Sequence, residues 1–341
     1  MDNKDINKEL VIPVMHCFND NYAILASVAF LSMLENANKN YFYKLYVLHS
    51  DITLQNQKIL MSIISRFKNA SLEFVNMNNK FKDLFEQTNS KGHYTKEMFY
   101  KFCAPSLFPQ YDKIIITDVD VVYCGDISEE FIKFKDDEEN YLAGIRGVMK
   151  KGGHIETMYK QIYSDFTEEE REKLLTGAGY WIFNLKKMRE DNCEEKFYNF
   201  AIKNSYRIKQ PEQDTVNIIC APFIKLLPIN SMVCTYAYDT YKTKEDMKQD
   251  VFNSADEIAY ALDHPIQLHY ATSVKPWNSI DCTKSNVWFE YIAKTPYLRD
   301  VLSYFKGILP KSNYYLFNLI RAVKIDQNKV KLFGCIPLNK R

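Results

Sequence analysis

Two aspartates one residue apart follow directly on an apolar run. In the stretch YDKIIITDVDVVYCGDI, residues 111–127, three isoleucines and a threonine precede Asp118, and Val119 separates it from Asp120. Residues i and i+2 of a strand project to the same side, so both carboxylates can converge on one point. Two such carboxylates repel each other unless a cation lies between them, and Mg²⁺ and Mn²⁺ take oxygen ligands together with substrate phosphates. The alternative is that two aspartates simply end a strand in a loop, where Asp is common.

A histidine and a lysine six residues apart are the second pair of candidates. In IQLHYATSVKPWN, residues 266–278, the apolar Ile266 and Leu268 predict that His269 ends another strand. A packed core histidine is the alternative explanation. An imidazole can complete an Asp-Asp-His site for Mn²⁺, and Lys275 can contact, as a point charge, a diphosphate at that metal. Together the two stretches predict a metal-held diphosphate.

Alternating strands and helices are predicted to position these residues. Strands are predicted over 10–18, 44–50, 71–77, 112–117, near 141–146 and over 179–184, and helices over 22–36, 53–68, about 94–107, 167–175 and about 185–203. This alternation predicts an α/β fold with a doubly wound, mainly parallel sheet, and ligands outside the carboxyl ends of its strands. Thr167 and Glu170 are predicted to cap the acidic helix. Past residue 285 the chain is predicted to be a helical, basic appendage.

Length and charge narrow the class of protein. The 341 residues are enough for a large core, and the net charge of +1 gives no indication of a nucleic-acid partner. Residues 297–341 hold nine Lys or Arg against two Asp, a net of +7, so the first 296 residues carry a net of −6. A basic, aromatic tail can contact anionic lipid at a membrane surface, and a C-terminal helix packed on the body is the alternative.

The cysteines and the apolar runs predict a cytoplasmic protein. The eight cysteines are scattered and form no CxxC pair, which is typical of reduced thiols. The stretch MDNKDINKEL lacks the apolar core of a signal peptide, and the longest apolar run, 22–34, is too short to span a bilayer. We therefore expect no transmembrane anchor, and the basic tail is expected to allow peripheral contact with the inner face of the membrane.

Five stretches, taken in order, resemble glycosyltransferase family 8. FNDNYAILASVAFLSM resembles the opening nucleotide-binding strand and helix of that family, and DKIIITDVDVVYCGDI resembles its DxD strand. GAGYWIFNLKKMR, PEQDTVN and HYATSVKPW resemble its central segment, its Asp-Gln-Asp helix start and its closing His…Lys-Pro-Trp motif. Each stretch alone is weak evidence, whereas five in order over roughly residues 11–280 are specific. Within the family, the sequence is most similar to bacterial lipooligosaccharide and lipopolysaccharide galactosyl- and glucosyltransferases.

The resemblance implies an activity and a cofactor. Family members are retaining hexosyltransferases that use UDP-glucose or UDP-galactose and a divalent cation. A GT-A type catalytic domain is therefore expected over residues 1–285, followed by a C-terminal region over 286–341. Asp118, Asp120 and His269 are expected to bind Mn²⁺ or Mg²⁺. The expected partners are a UDP-sugar donor and a glycan or lipid-linked acceptor, in bacterial cell-surface glycan or lipopolysaccharide assembly.

The resemblance also implies residues that bind the donor. Asn19 and Asn21 are expected to contact uracil and ribose, and Tyr22 to stack on the uracil. The remaining expected donor contacts are Lys101, Asp118, Val119, Gly177, Glu212, Thr272 and Lys275. Gln213 is expected beside the anomeric carbon, with Glu212 and Asp214 flanking it, and Gln213 and Asp214 are the catalytic candidates. A helix N-cap is the alternative role for Asp214.

Several positions depart from the pattern of the family. Lys101 replaces an Arg that contacts the donor, Gly177 replaces a donor-sugar Asn, and Arg146 replaces an Asp. Glu212 replaces the first Asp of Asp-Gln-Asp, and Thr272 replaces a Gly. The part of the site that binds metal and nucleotide therefore matches the family, whereas the part that recognises the sugar is altered. This leaves the donor sugar, the acceptor and the linkage open.

The retaining outcome has two mechanisms, and other functions remain as alternatives. A neutral Gln213 is a poor nucleophile, so we favour attack on the same face of the sugar with the leaving phosphate as base. A phosphatase of the haloacid dehalogenase type also uses Asp-x-Asp, but at the opening of its fold. A non-catalytic UDP-sugar or glycan-binding protein would keep the metal site without turnover. Self-glucosylation on tyrosine is allowed by the 24 tyrosines, none of which stands out.

Overall fold

The computed structural model describes residues 10–88, 95–135 and 139–308, together with four short strands between residues 313 and 337. Side chains are described as far as residue 305. The stretch MDNKDINKEL, for which we expect no signal peptide, therefore lies outside the described residues except for its last one. Among the described helices, none is both long enough and apolar enough to cross a membrane.

The chain divides into two compact units. The first unit spans Met1–His269 and the second spans Tyr270–Arg341. The sequence places the boundary between domains after residue 285 instead, and that assignment of domains stays a prediction. The two aspartates and His269 all belong to the first unit, whereas Lys275 belongs to the second.

Within its described ranges, the first unit has a sheet of seven strands and a sheet of three. In chain order, the ten strands are β1 (Val11–Cys17), β2 (Phe42–His49), β3 (Ala70–Asn76), β4 (Lys113–Thr117), β5 (Val121–Tyr123), β6 (Leu142–Gly144), β7 (Tyr180–Asn184), β8 (Ile224–Leu226), β9 (Val233–Cys234) and β10 (Gln267–His269). The large sheet has the order β3-β2-β1-β4-β7-β6-β8, in which only β7 runs antiparallel to its neighbours. This confirms the predicted mainly parallel α/β sheet.

The described part of the first unit has thirteen α-helices. They are α1 (Ala23–Asn36), α2 (Leu54–Ile64), α3 (Lys82–Gln87), α4 (Ala104–Leu107), α5 (Ser128–Lys133), α6 (His154–Ile162), α7 (Glu168–Glu172), α8 (Leu185–Glu190), α9 (Cys193–Lys203), α10 (Pro211–Cys220), α11 (Tyr236–Thr240), α12 (Lys244–Met247) and α13 (Ala255–Asp263). Short 3₁₀ helices cover Asp20–Tyr22, Lys96–Cys103 and Ile229–Ser231. The helix predicted near 94–107 is therefore mostly 3₁₀, and the one predicted over 185–203 is two helices.

Local sequence explains how several of these helices form. Helix α1 is buried on almost every side, so the hydroxyls of Ser27 and Ser32 donate to carbonyls one turn back, at Ile24 and Ala29. Helix α7 begins with the predicted capping box, in which Thr167 and Glu170 each accept from the other's backbone N–H. These local interactions satisfy polar groups that burial or a helix start would otherwise leave unpaired.

An aromatic core holds the 3₁₀ helix Lys96–Cys103 against the sheet. Phe99, Phe102, Trp181 and Phe197 are completely buried there, and the rings of Phe102 and Phe197 lie 5.3 Å apart. Large buried aromatic rings contribute much of the hydrophobic stabilisation of a core. This packing places the side chain of Lys101, within the same 3₁₀ helix, beneath the end of β4.

The small sheet brings the two candidate stretches together. Strand β5 follows the aspartates, and β10 pairs antiparallel with it, so that His269 lies opposite Val121. Because Val121 directly follows Asp120, this register puts the imidazole beside the aspartates. The prediction that His269 ends a strand is therefore confirmed.

The second unit begins with two helices and continues as strands. Its elements are α14 (Ser285–Ile292), α15 (Leu298–Ile308), β11 (Asn313–Leu316), β12 (Ile320–Asp326), β13 (Lys329–Leu332) and β14 (Ile336–Pro337). The four strands form an antiparallel sheet in chain order. The helical prediction is wrong beyond residue 308, where the alternating charged and apolar residues of KVKL fit the period of a strand. Of the tail proposed to contact lipid, the side chains beyond residue 305 lie outside the described residues, whereas Tyr297, Val301 and Phe305 are buried.

Candidate active site

Asp118, Asp120 and His269 form one cluster at the carboxyl edge of the large sheet. The Nε2 atom of His269 lies 3.2 Å from Oδ1 of Asp120 and 3.9 Å from Oδ2 of Asp118. One potential ligand atom from each residue lies within 4.8 Å of the other two. Two carboxylate oxygens and an imidazole nitrogen are a donor set that suits Mn²⁺. The residues therefore fit the predicted divalent cation.

The electrostatics of the cluster favour positive charge. Burial opposes a charge on His269, but the carboxylate of Asp120 outweighs it and raises the pKa of the imidazole to about 10. Two carboxylates attract a cation to the point where they converge. A metal ion at this point would replace the proton of His269 as the compensating charge.

A hydrogen-bond network behind the cluster fixes the ends of β4 and β10. The Thr117 hydroxyl lies 2.9 Å from the Tyr123 hydroxyl and donates to the carbonyl of Gly179. The Gln267 amide donates to the Thr117 hydroxyl at 2.8 Å and to the Tyr123 hydroxyl at 3.2 Å. Thr117 precedes Asp118, and Gln267 lies two residues before His269, so the network orients both ligands. Sequence reasoning missed it, although a glutamine inside the apolar run IQLH was a signal.

Lys101 lies under Asp118 as a buried cation. Its Nζ donates to Oδ1 of Asp118 at 2.7 Å and to the carbonyl of Ala178 at 3.1 Å, and lies 3.6 Å from Oε1 of Glu212. Burial opposes this charge, but Asp118 and Glu212 together raise the pKa of Lys101. The same ammonium lies 5.5 Å from the centre of the Trp181 ring. Asp118 is thereby held with its other oxygen, Oδ2, towards His269.

Glu212 and Gln213 begin helix α10 beside this ion pair. Burial raises the pKa of Glu212, and its Oε2 is buried without a hydrogen-bond partner in the part of the chain that the structure describes. Gln213 Oε1 accepts from the backbone N–H of Ala178 at 2.8 Å. Gly177 lies at the same place: a Cβ there would lie 3.3 Å from Met232 Cε and 3.8 Å from Gln213 Oε1. Glu212 therefore shares the ammonium of Lys101 with Asp118, and Gln213 contacts the backbone of Ala178, whose carbonyl accepts from the same ammonium.

Asp214 is buried and is held by hydrogen bonds within the protein. It is fully buried, and its Oδ1 accepts from the Tyr163 hydroxyl at 2.7 Å. Its Oδ2 accepts from the backbone N–H groups of Lys209 and Gln210, at 2.8 and 3.0 Å, before the start of α10. Burial raises the pKa of Asp214 to about 6 although these bonds lower it. The N-cap of α10 is Gln210 and Asp214 lies within the first turn, so the N-cap alternative is wrong: Asp214 accepts from the backbone before the helix and caps no N–H inside it. A catalytic role for Asp214 stays a prediction.

The predicted nucleotide contacts follow β1 at the same sheet edge. Asn19 Oδ1 accepts from the N–H of Asn21 at 3.1 Å, and this turn opens the 3₁₀ helix that contains Tyr22. Burial and the charges of Asp120 and Asp118 raise the pKa of Tyr22, so its phenol lies near the cluster. Asp20, which the sequence suggests as part of the cap of α1, accepts from Thr53 and Asn56 and ties this turn to α2. Val119 is buried between the two aspartates. Contacts of these residues with a nucleotide stay predictions.

Thr272 and Lys275 belong to the second unit. The Thr272 hydroxyl donates to the carbonyl of Val274 at 2.9 Å. The backbone N–H of Lys275 donates to Asn278 Oδ1 at 2.8 Å, and its Nζ donates to the carbonyl of Tyr270. These local bonds define the turn around the Lys-Pro-Trp motif. Contacts of Thr272 and Lys275 with a diphosphate stay predictions.

Solved structures of GT-A glycosyltransferases share this fold. The structure superposes on the WbbM bifunctional glycosyltransferase, with a TM-score of 0.67, 23% identity and coverage of 87% of this chain and 52% of that one. It also superposes on the galactosyltransferase LgtC bound to donor and acceptor sugar analogues, with a TM-score of 0.63, 16% identity and coverage of 84% and 96%. These likenesses confirm the expected GT-A fold.

A match to a family model shows which family the chain belongs to. The model of glycosyl transferase family 8 matches residues 13–281, so the chain belongs to that family. This confirms the resemblance drawn from the five stretches and the expected enzyme class, a hexosyltransferase.

Two curated proteins are similar over most of their length. General stress protein A of Bacillus subtilis is 24% identical over 80% of this chain and 90% of its own. A lipopolysaccharide 1,2-glucosyltransferase of Escherichia coli is 21% identical over 92% of this chain and 82% of its own.

Proposed function

We propose that this protein is a metal-dependent, retaining transferase that moves glucose or galactose from a UDP-sugar to an acceptor hydroxyl. The observation that carries the proposal is the cluster of Asp118, Asp120 and His269 at the carboxyl edge of the sheet. Ligands of doubly wound sheets bind at that edge. Nucleotide-sugar chemistry also explains why a buried ammonium, Lys101, lies directly beneath the acidic cluster.

The role of the metal ligands follows from the charge that develops in the reaction. A divalent cation held by the cluster supplies Lewis-acid stabilisation of the departing diphosphate. Lys101 holds Asp118 in one orientation, and the hydrogen bonds of Thr117 and Gln267 hold the ends of the two ligand-bearing strands. Such preorganised groups need no rearrangement when charge appears, which is the main source of electrostatic catalysis.

Gln213 is the residue that we propose beside the anomeric carbon. Its amide oxygen is held by the N–H of Ala178, so its NH₂ group is directed by a fixed backbone contact. An amide is a weak nucleophile, and Asp214 is held by Tyr163 and two backbone N–H groups. These features support same-face attack with a diphosphate oxygen as the base, rather than a covalent intermediate on the protein.

We further propose that the acceptor is a cell-surface glycan or a lipid-linked saccharide. Support comes from the Escherichia coli relative, whose name describes a lipopolysaccharide glucosyltransferase. A cytoplasmic location with peripheral membrane contact through the basic region after residue 296 belongs to the same proposal. Removal of that region is expected to release the protein from anionic vesicles, and unchanged vesicle binding would count against it.

The test of the proposal is UDP release from a panel of UDP-sugars, with Mn²⁺ and with a chelator. We expect release from one donor, with glucose or galactose, that depends on the metal. Release that a chelator leaves unchanged would contradict the metal assignment. Titration of UDP against the Mn²⁺-loaded protein then separates two further outcomes. UDP binding without turnover over a broad acceptor panel would indicate a non-catalytic binding protein. The departures from the family pattern at Lys101, Arg146 and Gly177 are the reason to test that alternative. Absence of UDP binding would contradict both.

A further inference from the structure

Arg146 lies at the same sheet edge as the acidic cluster, two residues beyond β6. The backbone N–H of Gly177 donates to the carbonyl of Ile145 at 3.1 Å, which joins this end of β6 to the segment beside Gln213. The guanidinium is partly buried and lies 4.8 Å from the centre of the Phe252 ring. No ion pair joins it to an acidic residue in the part of the chain that the structure describes. Burial lowers the pKa of Arg146, while Tyr159 acts in the opposite direction.

A second arginine in the same unit provides an internal comparison. Arg207 also lies 4.8 Å from a phenylalanine ring, that of Phe166. Its two terminal nitrogens donate to both carboxylate oxygens of Glu170, at 2.7 and 2.8 Å. Stacking on a ring therefore leaves the hydrogen-bonding edge of a guanidinium available, and Arg207 uses that edge for a carboxylate. Arg146 packs on a phenylalanine ring in the same way, but no carboxylate among the described residues pairs with it.

The surroundings of Arg146 continue to the acidic cluster through Met232. Arg146 and Met232 line one apolar cavity together with Val148, Val233, Tyr236 and Ile258. The Cε atom of Met232 would lie 3.3 Å from a Cβ on Gly177, and its Sδ would lie 2.8 Å from a Cβ on Gly179. A Cβ on Gly179 would also lie 2.6 Å from Nδ1 of His269. A single methionine side chain therefore separates the cavity of Arg146 from the imidazole of the metal site.

We propose that Arg146 binds a carboxylate or phosphate group of the acceptor, so that the acceptor of this transferase is an anionic saccharide. That the anion belongs to an acceptor rests on the proposed function. That Arg146 binds an anion does not. A partly desolvated guanidinium gains most from a planar or tetrahedral oxyanion that accepts two of its hydrogen bonds. The neighbouring apolar cavity, with a volume of about 20 Å³, is too small for a sugar ring, so the saccharide itself would lie outside it and only its anionic group would meet the guanidinium.

The test is a binding titration with three probes on the Mn²⁺- and UDP-loaded protein. The probes are methyl β-D-glucuronide, glucose 6-phosphate and the neutral methyl β-D-glucoside. We expect at least one anionic probe to bind about 10- to 100-fold more tightly than the neutral one, because a charge-assisted hydrogen-bond pair is added. The two anionic probes distinguish a carboxylate from a phosphate.

Two variants assign the preference to Arg146. Arg146→Gln is expected to remove it while UDP and Mn²⁺ bind as before, since Arg146 is not a metal ligand. Arg207→Gln is the matched control: it removes an arginine that packs on a ring in the same way, so it should lower stability and leave the preference intact. Arg146→Lys should keep part of the preference, because lysine retains the charge but not the planar fork.

The outcomes separate this inference from the proposed function. Equal binding of all three probes, no binding of any probe, or a preference that survives in Arg146→Gln would overturn the anion site. If UDP and Mn²⁺ bind in those cases, the proposed function is unaffected. If the metal and UDP do not bind, but the anionic preference exists and depends on Arg146, then the proposed function fails and the anion site stands.

Discussion

The two halves of the functional sheet edge differ in how their charges are compensated. At the end of β4, every charge faces an opposite charge: Lys101 contacts Asp118 at 2.7 Å, and His269 contacts Asp120 at 3.2 Å. At the end of β6, Arg146 contacts an aromatic ring and forms no ion pair with an acid among the described residues. Both places lie at the carboxyl edge of one sheet, on strands that are separated only by β7.

This difference distinguishes side chains that are fixed by an oppositely charged partner from a side chain whose charge has no such partner among the described residues. The compensated half is preorganised: fixed partners leave its ligand atoms in one arrangement, which suits a metal ion and the diphosphate of a donor. The uncompensated half has an unmet electrostatic requirement, which suits the part of the substrate that varies between enzymes of one family. Of the positions that depart from the family pattern, Arg146 and Gly177 lie in the second half, whereas Lys101 and Glu212 lie in the first.

The largest effect is expected when the compensated half loses its buried cation. Lys101→Met leaves Asp118 and Glu212 facing each other without a cation, so we expect the free energy of unfolding to fall by about 3–5 kcal/mol. Urea unfolding monitored by circular dichroism measures this change. Lys133→Met is the control, because the exposed ion pairs of Lys133 contribute little. Equal losses in both variants would show that Lys101 is not a structural cation. In Lys101→Met, an added Glu212→Gln should restore part of the loss.

Loss of one predicted metal ligand tests whether the compensated half of the sheet edge takes part in catalysis. Asp120→Asn should weaken the metal site and cost about 3–4 kcal/mol of transition-state stabilisation, about 10²–10³ in rate. The measurement is Mn²⁺-dependent UDP release. Asp112→Asn, at the exposed opposite end of β4, is the matched control and should keep the wild-type rate. Near-wild-type turnover in Asp120→Asn would contradict the assignment of Asp120 as a metal ligand.

Asp214 provides a carboxylate whose direct partners are all neutral. Its ordinary pKa is 3.8, and burial raises it to about 6 in the folded protein. The folded state therefore binds the proton more tightly, so this contribution to stability is complete below pH 4 and is lost as the pH rises through 6. From pH 4 to 7, the free energy of unfolding should fall by about 3 kcal/mol more in the wild type than in Asp214→Asn. Parallel pH profiles of the two proteins in urea unfolding would contradict the assignment.

The smallest effect is expected from a single methyl group at the boundary of the two halves. Gly179→Ala places a Cβ 2.6 Å from Nδ1 of His269, which the ring cannot accept without moving. We expect the affinity for Mn²⁺ to fall about 10- to 100-fold, as for other changes that disturb the orientation of a ligand. Gly177→Ala is the control, since its Cβ would meet only the flexible end of Met232 at 3.3 Å. Direct Mn²⁺ titration measures both variants, and equal affinities would refute the steric argument.

Prediction from the sequence succeeded where the signal was local. The apolar run before Asp118, the capping box of Thr167 and the strand that ends at His269 all depend on residues close together in the chain, and the structure contains each of them. The helical prediction beyond residue 308 is wrong because the composition of the tail, rather than its alternation, was used. Lys101 was expected to contact the donor, but no sequence pattern indicated that Asp118 and Glu212 are its partners.

The sequence alone determined the class of the protein. Its strand–helix alternation predicts a doubly wound sheet, and its Asp-x-Asp and His…Lys-Pro-Trp stretches indicate family 8, because these patterns report which residues share a strand face or end a strand. Only the tertiary structure decided which of them meet. The register of β10 on β5 places His269 beside Asp120, and the aromatic core places Lys101 under Asp118. Such pairings join residues far apart in the chain, and they are set by packing across the fold, which no local pattern records.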